Sequence, residues 1–318
     1  MEEILLGRMK TEDIVRLLTA LNLRPFRADE LASFARVMRQ HAALVFAEGE
    51  PLLANLVDTC GTGGDASGTF NISTAAAIVA AGAGAHVAKH GNRAMSSKSG
   101  SADVLESLGV RLDISLQHAG RAIREVGIGF LFAPVAHSAT RHAAAARKQM
   151  GVRTIFNLLG PLTNPARAEA QVLGVYSMDM LEVMAAALLE LGVERALVVH
   201  GEGGLDEISL SGETQVAEVE NGKVRRYTLR PEDFGVMQAP LAALRGGTPE
   251  ANAEIIRRIL SGEPGPRRDI VVINAAAALV AAGVAREFRE GAELAAKAID
   301  SKAAEAKLAA LRAHHAKG

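Results

Sequence analysis

Apolar residues recur at helical spacing from the start of the chain. Ile14, Leu17, Leu18 and Leu21 follow Thr11, which reads as an N-cap ahead of Glu12 and Asp13. Leu31, Phe34, Ala35 and Met38 mark a second helix beginning near Ala28, and Pro51 ends this helical block. The pattern then changes to short apolar runs separated by loops and helices. Strands are predicted at 52–57, 85–88, 128–132, 172–175, 196–199 and 270–272. An Ala-rich helix follows the first loop, another helix lies around 104–108, and a third carries Met180, Val183, Met184 and Leu188. Alternating strands and helices predict a parallel sheet with crossover connections. Residues 215–220 and 223–229, joined by Asn221-Gly222, read as a hairpin with a two-residue turn. Thr248-Pro249-Glu250 opens another helix with proline in its first position. Residues 274–282 read as a buried helix, and 291–313 as a single amphipathic helix that closes the fold. No internal repeat is evident.

Composition narrows the class. Of 318 residues, 49% are hydrophobic and 22% charged, as in a globular protein with a large core rather than a disordered or disulfide-stapled chain. The 35 Lys and Arg nearly balance the 36 Asp and Glu, which argues against a general nucleic-acid binder. Aromatic residues make up 3% with no Trp, so stacking platforms for bases are not expected. Cys60 is the lone cysteine: it excludes internal disulfides and cysteine-rich zinc clusters, and fits a reducing compartment, expected to be the cytoplasm. The acidic N-terminal segment lacks a signal-peptide pattern. The uncharged stretch 66–88 contains Ser67, Asn71, Ser73, Thr74 and His86, so it reads as a loop and a buried helix rather than a membrane span.

Three loops carry the chemistry. Asp58-Thr59-Cys60-Gly61-Thr62-Gly63-Gly64-Asp65 leaves a strand and precedes a helix opening with Asn71-Ile72-Ser73-Thr74. Glycines admit a ligand close to backbone N–H groups, and a helix N-terminus favours an anion. The spacing is neither the dinucleotide-binding GxGxxG nor a P-loop, and taken alone it also fits a capped glycine turn. Lys89-His90-Gly91-Asn92-Arg93 and Ser96-Ser97-Lys98-Ser99-Gly100-Ser101 form a second strand–loop–helix passage, with Ser101 as N-cap; alone it fits a solvated basic turn. Both loops lie at carboxyl ends of parallel strands, where ligands bind, and together they read as a site for at least two phosphate groups, one a pyrophosphate. The third loop, His200-Gly201-Glu202-Gly203-Gly204-Leu205-Asp206-Glu207, places adjacent carboxylates near those phosphates, a donor set for Mg²⁺ or else an acidic turn. Arg147 matters if it faces the cleft, where a guanidinium can grip a carboxylate; on a solvated face it would not. Cys60 reads as a small loop residue, not a nucleophile.

These segments, with FNIST at 70–74, SSKSGSADVLESLG at 96–109, GVRTIFNLLGPLTNP at 151–165, HGEGGLDEIS at 200–209 and NAAAALVAAG at 274–283, resemble the anthranilate phosphoribosyltransferases across nearly the whole chain. The resemblance implies a small helical domain, 1–51 joined by helices from about 138–165, beside a large α/β domain, 52–318, with a mainly parallel central sheet. It implies transfer of the phosphoribosyl group of phosphoribosyl pyrophosphate to the amine of anthranilate, with two Mg²⁺ ions, usually in a homodimer. By motif position, Gly61, Gly64, Asp65, Thr69, Asn71, Ser73, Thr74, Lys89, His90, Gly91, Asn92 and Ser101 would hold phosphoribosyl pyrophosphate. Gly61, His90, Asn92, His137, Arg147 and Pro161 would line the anthranilate site, and Ser73, Asp206 and Glu207 would serve the metal. No general base is assigned; His90 and His137 are positioning candidates.

Two departures stand out. Many members carry Asn-His-His where this chain reads Val135-Ala136-His137, and this chain begins about one helix later than the usual pattern. The rival readings are a pyrimidine-nucleoside phosphorylase of the same fold, which should lack the Asp206-Glu207 pair, and a nucleic-acid-binding relative, which should be basic.

Overall fold

The computed structural model describes residues 1–47, 49–51, 53–65, 67–94 and 98–318. Within them, strands β1 (Leu56–Gly61), β2 (His86–Gly91), β3 (Ile128–Phe132), β4 (Ala170–Gly174), β5 (Arg195–Gly201), β6 (Thr214–Glu220) and β7 (Lys223–Leu229) form a sheet in the order β3-β2-β1-β4-β5-β6-β7. The first five are parallel, while β6 runs antiparallel to both β5 and β7. Asn221 and Gly222 both have positive φ, which is why Asn-Gly closes the β6–β7 turn.

Helices α1 (Glu2–Leu5), α2 (Thr11–Asn22) and α3 (Ala28–Gln40) make the N-terminal block. Helix α4 (Ile72–Gly82) connects β1 to β2, and α5 (Ser101–Ser107) and α6 (Leu116–Val126) connect β2 to β3. Three short helices, α7 (Ala133–Ala136), α8 (Ala144–Met150) and α9 (Ile155–Leu159), lead to β4, and α10 (Met180–Glu190) leads from β4 to β5. The chain ends with α11 (Pro249–Leu260), α12 (Pro266–Ala281), α13 (Phe288–Asp300) and α14 (Ala303–His315). No described helix is long and apolar enough to cross a membrane.

Strand side chains alternate between two covered faces. Leu197 and Val199 of β5 join Val57, Val87 and Val172 beneath α4 and α11–α14. Ala196 and Val198 of the same strand join Leu173 and Val175 beneath α2, α3, α9 and α10. The N-terminal helices thus share a core with one face of the sheet. A third cluster packs Leu131 and Ala88 against Leu116, Ala119 and Ile123 of α6.

The structure corrects several expectations. Residues 270–272 are not a strand but the buried middle of α12, continuous with the Ala-rich segment. A short Ile-Val-Val run has no periodicity of its own, and Gly265 at φ 122 followed by Pro266 starts the helix early. The expected single helix 291–313 is two, α13 and α14, broken where Lys302 takes a left-handed φ of 65. Lys10 and Gly100, not Thr11 and Ser101, occupy the N-cap positions of α2 and α5. Helix α6 was not anticipated. Strands β1, β2 and β5 run further into their loops than expected, because their ends carry polar residues and a final glycine that read as loop, with Asp58, Thr59, Lys89 and His90 buried. Leu52, the expected strand start, Ala66, and Ser96 and Ser97 of the second loop lie outside the described residues.

From β1 the chain winds outward to β2 and β3, then returns to β4 on the other side of β1. That reversal between β1 and β4 opens a crevice at the carboxyl ends of the strands. The loops following β1, β2 and β5 surround it.

Candidate active site

Strand β1 delivers the first glycine loop against the acidic loop. A Cβ on Gly61 would lie 2.5 Å from Asp206 Oδ2, so only glycine admits that carboxylate. The Gly63 N–H donates to Asp206 Oδ2 at 2.9 Å. Gly63 and Gly64 both have positive φ, which turns the loop over the acidic side chain. Arg153, stacked 4.1 Å from the Tyr176 ring, donates to the Gly64 carbonyl. Thr62, absent from the expected site, fixes the loop's base: its N–H donates to the Gly174 carbonyl and its Oγ1 accepts from Tyr176 N–H.

The second carboxylate meets the start of α4. The Ser73 N–H donates to Glu207 Oε1 at 3.1 Å. Lys89, only 3% exposed, donates its ammonium to the Thr59 carbonyl at 2.5 Å and to Ser73 Oγ at 3.2 Å. The expected residues Gly61, Ser73, Lys89, Asp206 and Glu207 therefore converge. Burial pushes the Asp206 carboxyl up to about 7, helped by the nearby charge of Asp65. Burial also raises Glu207 well above the usual range, with Asp206 adding to it, and lowers Lys89. Carboxylates crowded until they resist ionisation are a site deficient in positive charge. The donors are all oxygen, as Mg²⁺ requires. Among the described residues no group of three His, Cys, Asp or Glu side chains could hold a metal by itself. Asp206, Glu207 and the Ser73 hydroxyl fit an ion that completes its shell with ligand oxygens and water. Below Glu207, Thr59, Cys60, Ser73, Val172 and Asn274 line a cavity of about 10 Å³, roughly the size of one water.

The rest of the donor loops is tied in layers. The Thr69 and Ser67 hydroxyls are 3.1 Å apart. Asn71 donates to the Ser99 carbonyl and accepts from its hydroxyl. The Thr74 hydroxyl is buried without a partner among the described residues. On the β2 loop, a Cβ on Gly91 would fall 2.2 Å from Ser101 Oγ. That hydroxyl donates to the Asn92 carbonyl at 3.3 Å, so Gly91, Asn92 and Ser101 form one unit. Arg93 is spent on Asp103 and Glu106, which leaves Lys89 as the inward-facing cation of this motif.

Of the residues expected on the acceptor side, His90 and His137 come together. His90 and His137 stand edge to face with ring centroids 5.1 Å apart, and the Nε2 of each is buried without a partner among the described residues. Burial lowers His90 to about 3 and His137 to about 4, so both imidazoles are neutral. The Pro161 carbonyl accepts from Gln171 at 2.7 Å, which anchors the 160–162 turn. Arg147, on α8, lies 5.3 Å from the Phe156 ring with no carboxylate paired to it among the described residues, and burial lowers its pKa. Cys60 belongs to β1 rather than to the loop; it accepts from Gln171 Nε2 at 3.0 Å, and burial pushes its thiol up, which removes it as a nucleophile.

Residues 53–305 match the family described as glycosyl transferase family, α/β domain. The anthranilate phosphoribosyltransferase of Pelotomaculum thermopropionicum is 56% identical over 308 residues, spanning 97% of this chain and 88% of the relative. The chain belongs to the anthranilate phosphoribosyltransferase family. A crystal structure of the Thermus thermophilus member is 49% identical, covers 99% of this chain and 93% of its own, and superposes with a TM-score of 0.92. The Saccharomyces cerevisiae member in complex with PRPP and Mg is 30% identical, covers 97% of this chain and 86% of its own, and has a TM-score of 0.87. The same yeast member in complex with 4-fluoroanthranilate is 28% identical with a TM-score of 0.86, over 97% of this chain and 86% of its own. The mixed α/β fold with its mainly parallel sheet is this family's fold.

Two buried asparagines beside the crevice are not among the expected site residues of this anthranilate phosphoribosyltransferase family member. Asn274 of α12 brackets the acidic loop: it accepts from the Ile208 N–H at 2.9 Å and donates to the Ile208 carbonyl at 3.0 Å. Asn252 of α11 reaches Asn71. Each is an amide on an otherwise apolar, buried helix face, and that mismatch is the signal that marks them.

Proposed function

We propose that the chain transfers the phosphoribosyl group of phosphoribosyl pyrophosphate to the amine of anthranilate, releasing pyrophosphate, as a Mg²⁺-dependent step of tryptophan biosynthesis. One observation carries this reading. Asp206 and Glu207 meet the Gly61–Gly63 turn and the Ser73–Lys89 pair in the same crevice. That is an anion site with a built-in place for a hard cation.

In this reading the amides of 61–65 and of the first turn of α4 receive pyrophosphate oxygens, with Asp65, Thr69, Asn71 and Thr74 around them. Lys89 adds a fixed positive charge where negative charge grows as pyrophosphate leaves. Gly91, Asn92 and Ser101 close the ribose side. Bound Mg²⁺ supplies charge neutralisation to the leaving group. We place one ion at Asp206 and a second at Glu207 with Ser73, because the two carboxylates face different elements, the β1 loop and α4. Neutral His90 and His137 with Asn92 and Pro161 would hold the anthranilate ring, and Arg147 would take its carboxylate. An aromatic amine needs little activation, so positioning supplies much of the rate. We assign no general base: imidazoles held at about 3 and 4 are poor proton acceptors near neutral pH.

We further propose that 1–51 and about 138–165 form the acceptor-side helical domain against the 52–318 domain. Leu23 and Leu44 are exposed on the N-terminal block at 83% and 59%, and we place the face of a homodimer there. A lone thiol fits the reducing cytoplasm.

The test is the loss of anthranilate fluorescence on adding phosphoribosyl pyrophosphate, with and without Mg²⁺. A Mg²⁺-dependent decay with stoichiometric pyrophosphate release is expected. No decay from folded protein that still binds phosphoribosyl pyrophosphate would mean a different acceptor.

A further inference from the structure

Asn252 sits in the first turn of α11, only 2% exposed, beside Ala253, Ile255 and Ile256 of the core. A buried amide is tolerated only when its polar atoms are paired. Here the pairing fixes a direction. The backbone N–H of Gly247 donates to one end of the Asn252 amide at 2.7 Å. A backbone N–H can only donate, so that end is the oxygen, Oδ1. The other end is then Nδ2, and it donates to Asn71 Oδ1 at 2.9 Å. Asn71 in turn directs Nδ2 to the Ser99 carbonyl at 3.1 Å, and Oδ1 accepts a second bond from Ser99 Oγ at 3.0 Å. These bonds use both lone-pair directions of the Asn71 oxygen and one of its two N–H groups.

The anchor is rigid. The 244–247 segment runs along 68–70: Gly246 N–H donates to the Gly68 carbonyl, Phe70 N–H donates to the Leu244 carbonyl, and Thr69 pairs with Arg245. A Cβ on Gly246 would lie 2.6 Å from the Phe70 backbone and 2.7 Å from Asn252 Oδ1, so the turn packs too closely for any side chain.

We propose that Asn252 is a positioning residue for phosphoribosyl transfer: through the Gly247–Asn252–Asn71 relay it fixes the Asn71 amide with an N–H, not an oxygen, available to the anionic donor substrate. This rests on the reading of 61–74 as the phosphoribosyl pyrophosphate site.

The near-isosteric Asn252→Asp variant is the test. Aspartate accepts from Gly247 equally well but sets a second oxygen against Asn71 Oδ1. Relief by flipping Asn71 would place its oxygen against the Ser99 carbonyl and turn it toward the substrate. The readouts are the affinity for phosphoribosyl pyrophosphate with Mg²⁺ by calorimetry, the two KM values, and the thermal midpoint of the full chain. Losing a hydrogen bond to a charged group predicts about tenfold weaker phosphoribosyl pyrophosphate binding, with the anthranilate KM within about twofold. In an Asn71→Ala background the same substitution is expected to cost less than about twofold. Unchanged affinity for Asn252→Asp, while Asn71→Ala weakens binding, would overturn the relay. So would an equal loss with and without Asn71. Unchanged affinity for Asn71→Ala itself would instead overturn the assignment of Asn71 to the donor site. Should Asn252→Asp not fold, Asn252→Ser, which removes the donor without adding charge, is judged by the same comparison in the two backgrounds.

Discussion

His90 and His137 turn burial into a measurable acid sensitivity. In the unfolded chain each imidazole protonates near 6.5, but burial holds His90 at about 3 and His137 at about 4 in the folded protein. The unfolded state therefore takes up protons first. Stability from these groups is complete above 6.5 and is lost as pH falls from 6.5 toward their folded values. For His137 alone, moving from pH 7 to pH 5 costs about 2 kcal/mol, and the full loss below its folded value is about 3.4 kcal/mol. His90 adds about 2 kcal/mol over the same interval, so the pair costs about 4 kcal/mol. His137→Gln keeps a polar side chain of similar length that does not titrate. It is expected to lose about 2 kcal/mol less than the parent between pH 7 and pH 5. Urea titrations followed by circular dichroism at the two pH values give the numbers. Equal losses in the two proteins would refute the reasoning, because His137 would then titrate alike folded and unfolded.

Two further outcomes follow from the same geometry. Arg147→Ala is expected to raise the anthranilate KM by about tenfold or more while leaving the phosphoribosyl pyrophosphate KM within about twofold, since its guanidinium has no carboxylate partner among the described residues; steady-state kinetics with each substrate varied decides it, and the reverse pattern would move Arg147 to the donor side. Asp206→Asn removes a carboxylate whose folded pKa is raised to about 7, so the metal-free protein loses stability as pH rises from the ordinary carboxyl value of 3.8 toward 7 and carries the full cost above it. The variant should melt higher than the parent at pH 8 without Mg²⁺, lose the Mg²⁺-dependent rise in thermal midpoint in the presence of phosphoribosyl pyrophosphate, and lose turnover; a lower midpoint without metal would contradict the charge-crowding argument.

The parts of the molecule legible in sequence were those with a local cause. Asn221-Gly222 specifies its turn by backbone conformation alone, and Thr248-Pro249 starts α11 because a threonine cap and a proline suit those two positions. Glycines followed by Asn71-Ile72-Ser73-Thr74 announce a strand–loop–helix passage without any tertiary knowledge. What failed to show was set by contacts distant in sequence. Residues 270–272 are helical because α12 is buried on all sides, which erases the periodicity that separates helix from strand. The break between α13 and α14 rests on one left-handed lysine, Lys302, in a stretch whose composition favours helix throughout. Asn252 acts on Asn71 across most of the chain, and no spacing rule connects them.

The same division explains how the fold tolerates its site. Thr74 Oγ1, His90 Nε2 and His137 Nε2 are buried without partners among the described residues, at a cost of about 1–3 kcal/mol each. To these are added the crowded carboxylates at Asp206 and Glu207. None of this is recovered within the protein itself. It is offset by a sheet covered on both faces and by α12, buried along most of its length. Thr74 lies in the first turn of α4, His90 near the end of β2 and His137 at the end of α7, all of them buried, so they cannot relax by moving into water. In the proposed reading, phosphate, metal and an aromatic acid would supply partners for these groups together. Stability lost at these groups would thereby be returned as binding, and the rigid frame that prevents relaxation would also fix where the reacting atoms meet.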